Sequence, residues 1–360
     1  MPESPQPATP EQPALLDVFL CGPVFLDIVF TGLPTVPRPG TEVWASGMGS
    51  LPGGIANLAV AASRLGLGTG LAAGFGGDVY GRWCWDVLAE EGIDLSRSTR
   101  LPDQHTSVTV SVAYDDDRSM ITHGHDLPMT HDELIGDPPR SRAVIIDLDD
   151  RRDAEQWWRT AAADGAKVFA DVGWDPAEAW DPRRLDSLAS CYGFLPNERE
   201  AMAYTRTDSP RAAARRLADQ VPLVVVTMGS AGAVAIDSAT GEEVMVPALP
   251  VTAIDPTGAG DVFLASFVSA TLQEWPLTQR LRFATLCAAL AVQQFGGSLA
   301  APGIGDLHDW WSATTLAHRA GEPAATERYE DYGFLDRVLP ARPDRVARRA
   351  EATFALDADL

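Results

Sequence analysis

The chain has 360 residues, of which 46% are hydrophobic and 22% are charged, as expected for a folded protein with a large buried core. Its 50 acidic and 28 basic residues give a formal net charge of −22, which disfavours binding to nucleic acids and to anionic membrane surfaces. Lys167 is the single lysine and no glycine-rich loop precedes it, so the sequence excludes a P-loop nucleotide site.

The cysteines and the amino-terminal segment bear on the cellular compartment. The four cysteines lie far apart in the sequence, which favours neither a disulfide framework nor a zinc site and fits a reducing, cytoplasmic environment. No apolar run reaches the roughly 18 residues of a membrane-spanning helix. Residues 1–15 are Pro-rich and acidic and have no signal-peptide pattern, so we interpret them as a disordered leader.

The first third of the chain mixes strands and helices. Residues 15–30 are apolar and β-prone, and the Gly22-Pro23 pair predicts a turn between two extended pieces. Residues 53–67 predict a loop that runs into a helix, which Gly66 ends. Residues 83–91 predict a second helix, which Gly92 ends. Residues 106–114 and 119–122 alternate small polar and β-branched residues, which predicts a half-exposed hairpin across an acidic turn at 115–117.

The middle of the chain alternates strands with helices. Strands are predicted at residues 143–148, 167–172, 192–195 and 223–228, with helices at 155–163 and 210–219 between them. Such an order indicates an α/β fold with a parallel sheet that has helices on both faces. Ligands of such sheets bind beyond the carboxyl ends of the strands. Residues 262–295 then read as two apolar helices.

The segment DPTGAGD at residues 255–261 carries the strongest chemical signal. Gly258 and Gly260 allow a tight turn at a helix start, where the helix dipole and the free N–H groups favour an anion. Asp261 is therefore placed beside a pocket suited to a transferring phosphoryl group, and it can orient an attacking hydroxyl and accept its proton. The alternative interpretation is that Asp261 only caps the helix.

Three further segments carry weaker signals. PGGIAN at residues 52–57 combines two glycines with an amide that can contact a hydroxyl group. TMGSAG at residues 227–232 follows a buried strand and predicts a loop that lies against a flat ring. PNERE at residues 196–200 places an amide and a carboxylate on one face of a helix start, where they can hold water around Mg²⁺. Each segment also fits a structural turn or a helix cap.

In this order, the four motifs resemble those of the pfkB, or ribokinase-like, family of carbohydrate and nucleoside kinases, over roughly residues 16–305. DPTGAGD is similar to the carboxyl-terminal signature of that family and PGGIANLAVAASRLG to its amino-terminal signature. PNERE and TMGSAG resemble its Asn-x-x-Glu motif and its nucleotide loop. The resemblance implies an ATP-dependent phosphotransferase with an alcohol acceptor. The implied fold is a three-layer α/β sandwich with a central, mostly parallel sheet and a small β-lid.

The resemblance also implies roles for individual residues. The implied catalytic base is Asp261, and the backbone anion hole would be formed by Gly258, Ala259 and Gly260. The residues implied or considered for contact with the sugar-like substrate are Asp27, Gly53, Gly54, Asn57 and Phe25. The residues implied for ATP are Asn197, Glu200, Thr227, Gly229 and Gly232.

The same resemblance implies two bound cations and a second copy of the chain as a partner. Mg²⁺ would be held through water by Glu200, and K⁺ would lie near Asp255, Thr257 and Ser298. Lid segments at about residues 34–50 and 104–124 would close over the substrate and form a homodimer. The kinase domain would then span residues 16–311, after the leader, and residues 312–360 would form an extension of unknown role.

The departures from the family pattern concern the substrate. Phe25 stands where ribokinases carry an asparagine that contacts the sugar, which puts ribose itself in doubt. Its ring either belongs to the core, which is slightly favoured, or stacks on a ring of the substrate. The alternatives are therefore a nucleoside kinase or, less favoured, a non-catalytic nucleotide-binding relative. A phosphate-bearing acceptor would need basic side chains near Asp27, for which Arg38 and Arg118 are the candidates.

Overall fold

The computed structural model describes residues 15–114, 117–148, 155–173, 175, 177–344 and 346–350, with the side chains of residues 113–118 outside the description. Except for Leu15, the predicted leader lies outside the described residues, and so does most of the predicted turn at 115–117. Within the described ranges, no helix is long and apolar enough to cross a membrane.

The chain forms strands and helices in an alternating order. The strands are β1 (Leu16–Cys21), β2 (Val24–Thr31), β3 (Gly47–Gly54), β4 (Thr69–Ala72), β5 (Gly74–Gly76), β6 (Thr99–Leu101), β7 (Ser107–Tyr114), β8 (Asp117–His123), β9 (Ser141–Asp147), β10 (Lys167–Asp171), β11 (Gly193–Phe194), β12 (Leu223–Thr227), β13 (Ala233–Asp237) and β14 (Glu242–Val246). The helices are α1 (Ala56–Arg64), α2 (Val79–Glu90), α3 (His131–Ile135), α4 (Trp157–Ala163), α5 (Glu198–Thr205), α6 (Pro210–Leu217), α7 (Ala259–Leu272), α8 (Leu277–Ala291), α9 (Ile304–Arg319), α10 (Pro323–Tyr332) and α11 (Leu335–Val338).

The central sheet has the spatial order β14-β13-β12-β11-β10-β9-β1-β4, and it is parallel except for β13 and β14 at one edge. Residues 143–146 of β9 are all buried. Alternate side chains of this run join two different hydrophobic clusters, one with helices α1, α7 and α8 and the other with α4, α5 and α6. A strand that is buried on both faces requires helices on both sides. The predicted three-layer α/β sandwich is therefore confirmed.

The second sheet, in the order β3-β2-β7-β8, is the lid sheet of this molecule. The predicted hairpin is present as β7 and β8. The structure adds β2, which the predicted lid segments did not include, and it places β3 at residues 47–54 rather than 34–50. Pro23 has no N–H to continue the β1 ladder, so the chain leaves the central sheet at Gly22-Pro23 and enters the lid sheet as β2.

The carboxyl-terminal segment packs on the core of the α/β sandwich. Helix α9 runs through the predicted domain boundary at residue 311. Tyr332, Phe334 and Leu335 join the larger hydrophobic cluster, and the Phe334 ring lies 6.0 Å from the ring of Trp275. We therefore propose that residues 312–344 and 346–350 belong to the main α/β fold and are not an appended extension.

This proposal predicts that a leucine-to-alanine substitution lowers the free energy of unfolding at a buried site and not at an exposed one. Leu335→Ala should lower the free energy of unfolding by about 2–5 kcal/mol, because Leu335 has no exposed surface and its loss leaves a cavity. Leu316→Ala is the matched control, since Leu316 is 71% exposed and its loss should change stability by less than about 0.5 kcal/mol. Urea unfolding of both variants measures the difference. Equal, small effects would show that the segment does not support the fold.

Candidate active site

Helix α7 begins at a glycine turn that suits an anion. Gly258 has φ +77°, and a Cβ at this position would lie 2.9 Å from the Cα of Gly297, so no other residue fits. No side chain among the described residues caps this helix. A Cβ at Gly260 would meet no atom within 4 Å, so there is open space in front of the first turn. A helix start of this kind attracts negatively charged groups.

Asp261, in the first turn of α7, is hydrogen-bonded to Asn57 of α1. The Asn57 side-chain amide donates to Asp261 Oδ2 at 2.8 Å, across 204 positions of sequence. Asn57 is 6% exposed, and its Oδ1 has no hydrogen-bond partner among the described residues. A buried carbonyl oxygen without a donor is costly. The arrangement therefore suits a ligand that donates a hydroxyl proton to Asn57 beside the Asp261 carboxylate.

Asp27 lies on lid strand β2, which pairs with β3. A Cβ at Gly53 would fall 1.8 Å from Asp27 Oδ2, so the glycine makes room for this carboxyl group. Asp27 is buried, and burial together with the negative charge of Asp261 raises the pKa of Asp27 to about 7, although the Thr109 hydroxyl acts in the opposite direction. The two carboxyl groups are therefore close enough to interact.

Phe25 lies two residues before Asp27 on β2 and is half-buried. Gly54 has φ +64°, and a Cβ there would come within 2.6 Å of the Phe25 ring, so this glycine permits the ring position. Phe25 lines a cavity of about 450 Å³ together with residues of the lid, including Ser107 and Thr122. The predicted substrate residues are thus brought together on two paired strands and helix α1.

A group of carboxylates that the sequence analysis missed lies at the ends of neighbouring strands. Asp147 of β9 and Asp171 of β10 are paired in register. Burial raises the pKa of Glu200 to about 7, with a smaller effect from Asp147, and burial followed by the charge of Glu200 raises the pKa of Asp171 well above its ordinary value. The sequence did contain a signal for these two carboxylates: an acidic residue ends each apolar run, AVIID and KVFAD.

Asn197 and Glu200 form the amino-terminal cap of α5. The Asn197 side chain accepts from Glu200 N at 3.0 Å, and Glu200 Oε2 accepts from Asn197 N at 3.0 Å. The capping interpretation of PNERE therefore describes the local geometry. The same cap places the Glu200 carboxylate at the end of β11, near Asp171, and Asn197 makes an isolated bridge to Thr227.

The loop after β12 forms one wall of a cavity of about 560 Å³. Gly229 and Gly232 both have positive φ, and a Cβ at Gly232 would lie 2.0 Å from the carbonyl oxygen of Val246. The lining residues that define the cavity are Thr227, Gly229, Gly232, Leu249, Val251, Gly260, Phe263 and Val292. The cavity therefore has apolar walls for a flat ring and ends at the start of α7.

The FGGS loop at residues 295–298 packs beneath the DPTGAGD turn. Asp255 is fully buried, and its Oδ1 accepts from the N–H and the hydroxyl of Thr257 at 2.9 and 2.7 Å. Its Oδ2 accepts from Gly296 N at 3.1 Å. The Ser298 hydroxyl donates to the carbonyl of Pro52, which ties this loop to lid strand β3. The residues predicted for a monovalent cation are therefore neighbours.

Basic side chains contribute little to this site in the part of the molecule that the structure describes. Arg38 is exposed, and it contacts Thr41 through its backbone. The side chain of Arg118 lies outside the description. A phosphate-bearing acceptor gains no support from these two residues.

Comparison with known proteins agrees with this arrangement. Residues 35–303 match the model of the pfkB family of carbohydrate kinases. A deoxyribokinase from Salmonella typhi is 27% identical over 309 residues, which cover 82% of this chain and 99% of that protein. A nucleoside kinase from Methanothermobacter thermautotrophicus is 29% identical over 281 residues, which cover 76% and 89%.

The comparison with solved structures shows a shared fold. A solved E. coli structure, described provisionally as a ribokinase II in complex with ATP and Mg²⁺, superposes with a TM-score of 0.69 at 20% identity and covers 83% of this chain and 100% of that one. At that identity the superposition shows the fold alone. The family match covers most of the chain and includes the glycine turn, Asn57, Asp261 and the nucleotide loop. The chain therefore belongs to the pfkB family of carbohydrate kinases and is a phosphotransferase that acts on an alcohol group.

Proposed function

We propose that the protein transfers the γ-phosphoryl group of ATP to a hydroxyl group of a sugar or sugar-like molecule, with Asp261 as the base. The observation that carries this proposal is the hydrogen bond from Asn57 to Asp261 at the start of α7. This pair lies between the carboxyl group of Asp27 on one side and the end of the apolar cavity on the other.

Each group has a separate task in this mechanism. Asp27 and Asn57 Oδ1 accept hydrogen bonds from acceptor hydroxyls and orient one of them towards Asp261. Asp261 takes the proton of that hydroxyl as the hydroxyl oxygen bonds to the γ-phosphorus, while the bond from this phosphorus to the bridging oxygen breaks and ADP leaves. The backbone at Gly258, Ala259 and Gly260 stabilises the charge on the transferring phosphoryl group, and closure of the lid sheet excludes water.

The nucleotide would occupy the cavity of about 560 Å³. Thr227, Gly229 and Gly232 would contact the nucleotide, and the apolar side chains opposite them would cover the adenine ring. Asn197 would support the phosphate side of this site, since it bridges to Thr227 at the end of the neighbouring strand. The E. coli structure in complex with ATP and Mg²⁺ supports this assignment by analogy.

The cluster of Asp147, Asp171 and Glu200 fits Mg²⁺. Oxygen ligands of this kind are those that Mg²⁺ prefers, often through water. The raised pKa values of Asp171 and Glu200 show that their negative charges are poorly compensated in the protein alone, so a divalent cation would stabilise the ionised cluster. Bound Mg²⁺ would supply positive charge to the phosphates. We assign Glu200 and Asp171 as the principal holders of its water shell.

The loop around Asp255 fits a monovalent cation. The hydrogen-bond donors to this fully buried carboxylate, in the part of the chain that is described, are neutral groups of Thr257 and Gly296. K⁺ near Asp255, Thr257 and Ser298 would balance its charge and hold the backbone of the anion hole in place.

The K⁺ assignment predicts a cation-dependent rate. The turnover number should rise several-fold when K⁺ replaces tetramethylammonium at constant ionic strength, because the ion stabilises the turn that binds the phosphoryl group. Asp255→Asn should remove most of this dependence. A coupled ADP-release assay measures both effects. Equal rates in the two salts would refute the assignment.

A nucleoside acceptor is the second candidate. The half-buried Phe25 ring lines the cavity of about 450 Å³ beside Asp27, and an aromatic ring at that position suits stacking on a base. A non-catalytic relative is disfavoured because it would have no use for the Asn57–Asp261 pair.

The exposed lid residues Met120 and Ile121 support the proposed homodimer, which sedimentation equilibrium would test.

The test of the proposed function is a kinase screen. The purified chain, with Mg²⁺ and K⁺ present, is assayed for acceptor-dependent ADP release over pentoses, deoxypentoses, hexoses and nucleosides. We expect one class to give kcat/KM above about 10⁴ M⁻¹ s⁻¹, the lower end for typical enzymes. Nucleosides alone as acceptors would select the second candidate, and ATP binding without any acceptor-dependent turnover would contradict both.

A further inference from the structure

Three histidines meet at one end of the lid sheet, apart from the catalytic and cation-binding groups described above. The chain has six histidines. Three of them, His105, His123 and His125, come from the loop before β7, the end of β8 and the segment after it. One ring nitrogen from each lies within 4.8 Å of the other two, and all three side chains are exposed. Half of the histidines in an acidic chain thus share one small area.

The ring geometry suits a shared ligand. Nε2 of His105 and Nε2 of His125 are 2.6 Å apart, so a proton on one ring bridges them. The His105 ring centroid lies 5.0 Å from that of His123 and 4.2 Å from that of His125. Tetrahedral Zn²⁺ bonded to imidazoles at about 2.0–2.1 Å places neighbouring nitrogens roughly 3.3 Å apart. The three nitrogens already lie within 4.8 Å of one another, and the exposed side chains have room to adjust towards that separation.

The groups around the three rings suit a transition-metal ion better than an ion such as Mg²⁺, which is bound by carboxylates. Asp78 lies near His105, but its oxygens already accept from Gly81 N, Thr106 N and the Thr106 hydroxyl. All four cysteines are buried, so no exposed thiolate competes for a soft ion. Three neutral imidazoles are ligands for Zn²⁺ and related ions, whereas Mg²⁺ prefers oxygen. The alternative is a stacked and hydrogen-bonded histidine cluster without a metal.

We propose that His105, His123 and His125 bind one divalent transition-metal ion of the Zn²⁺ class, with water in the fourth position. The ion would tie together the loop before β7, the end of β8 and the segment after it, in addition to the β7–β8 pairing of Val108 with His123. His105 and His125 also line the cavity that Phe25 borders. Metal binding would therefore stabilise the wall of that cavity and the lid hairpin, independently of the identity of the acceptor.

The first test measures binding directly. Untagged full-length protein, stripped with a chelator and held in excess Mg²⁺ to occupy carboxylate sites, is titrated with Zn²⁺ by calorimetry. We expect one tight site per chain. His105→Ala, His123→Ala and His125→Ala should each weaken it at least about 100-fold, because even groups that only support metal ligands contribute ~10–100-fold.

The controls use two of the other histidines. His308 contacts the carbonyl of Pro340 and His318 stacks on Tyr329, both in the carboxyl-terminal helices. His308→Ala and His318→Ala should keep the Zn²⁺ affinity unchanged. Absence of a stoichiometric site, or a tight site that survives His123→Ala, would overturn the proposal.

A second readout follows the lid itself. Zn²⁺ should raise the melting temperature of the wild-type protein in the absence of ATP and acceptor, since binding to the folded state alone stabilises it. The His123→Ala variant should show no such rise. Because neither measurement depends on turnover, failure of this proposal and failure of the kinase assignment are distinguishable. A Zn²⁺-induced rise that is equal in His123→Ala would place the ion elsewhere and refute the site.

Discussion

Asp261→Asn should lower kcat by about 10²–10⁴-fold and leave ATP affinity nearly unchanged. The substitution keeps the size of the side chain but removes the proton acceptor, and a positioned base contributes an effect of this magnitude. The proposed nucleotide contacts lie in the loop after β12 and the cavity walls, which the substitution does not alter. Steady-state kinetics and calorimetric titration with ATP measure the two quantities.

The control for this variant is an equivalent change on an exposed helix surface. Asp86 is an exposed residue of α2, and Asp86→Asn should keep normal kcat. If Asp261→Asn retained more than about a tenth of the wild-type kcat, Asp261 would be a helix-start residue and not the base. A matching loss in Asp86→Asn would show that the effect is not specific to the site.

Asp27→Ala should lower kcat/KM for the acceptor by at least ~100-fold, equivalent to ~2.7 kcal/mol. Asp27 is buried beside Asp261 and Gly53, and a site built around hydroxyl groups loses transition-state binding when one of its acceptors is removed. The KM for ATP should change little. Initial-rate kinetics with the acceptor identified by the kinase screen test this expectation.

The raised pKa of Asp27 provides a test that distinguishes a role in substrate binding from a role in stability. Its pKa is about 7 in the folded protein and near 3.8 ordinarily, so the folded state binds more protons between these values. Stability should therefore fall as pH rises from about 4 to 7, and the Asp27 carboxylate should destabilise the empty protein at pH 8. Asp27→Asn, which keeps the shape and removes the charge, should melt at an equal or higher temperature at pH 8. A lower melting temperature together with normal kcat/KM would make Asp27 a structural residue.

The sequence alone was enough to predict the main fold, and it also supplied the hypothesis for the reacting end of the site. DPTGAGD and TMGSAG are local motifs, in which glycines, a strand end and a helix start lie within a few residues, so spacing indicates geometry. The buried strands β9, β10 and β12 could be recognised because residues buried on both faces form short apolar runs. Asp261 could be proposed as the base for the same reason.

Other parts of the site depended on contacts between distant segments. The Asn57–Asp261 hydrogen bond spans 204 positions, and the pairing of Asp147 with Asp171 depends on the register of two strands joined by a helix. The membership of β2 in the lid sheet depends on pairing with β3 and β7, which a local pattern of apolar residues does not specify.

The histidine cluster and the burial of the carboxyl-terminal helices also could not be predicted from local sequence. His105 and His123 are separated by a hairpin whose register decides whether their rings meet. Leu335 and Leu316 are both leucines in helices, yet one is fully buried and the other is 71% exposed. The sequence by itself determined the elements and the local motifs, because these depend on neighbours in the chain. Only the tertiary structure decided strand order, burial and the partners of each polar group, because these depend on packing between segments far apart in the chain.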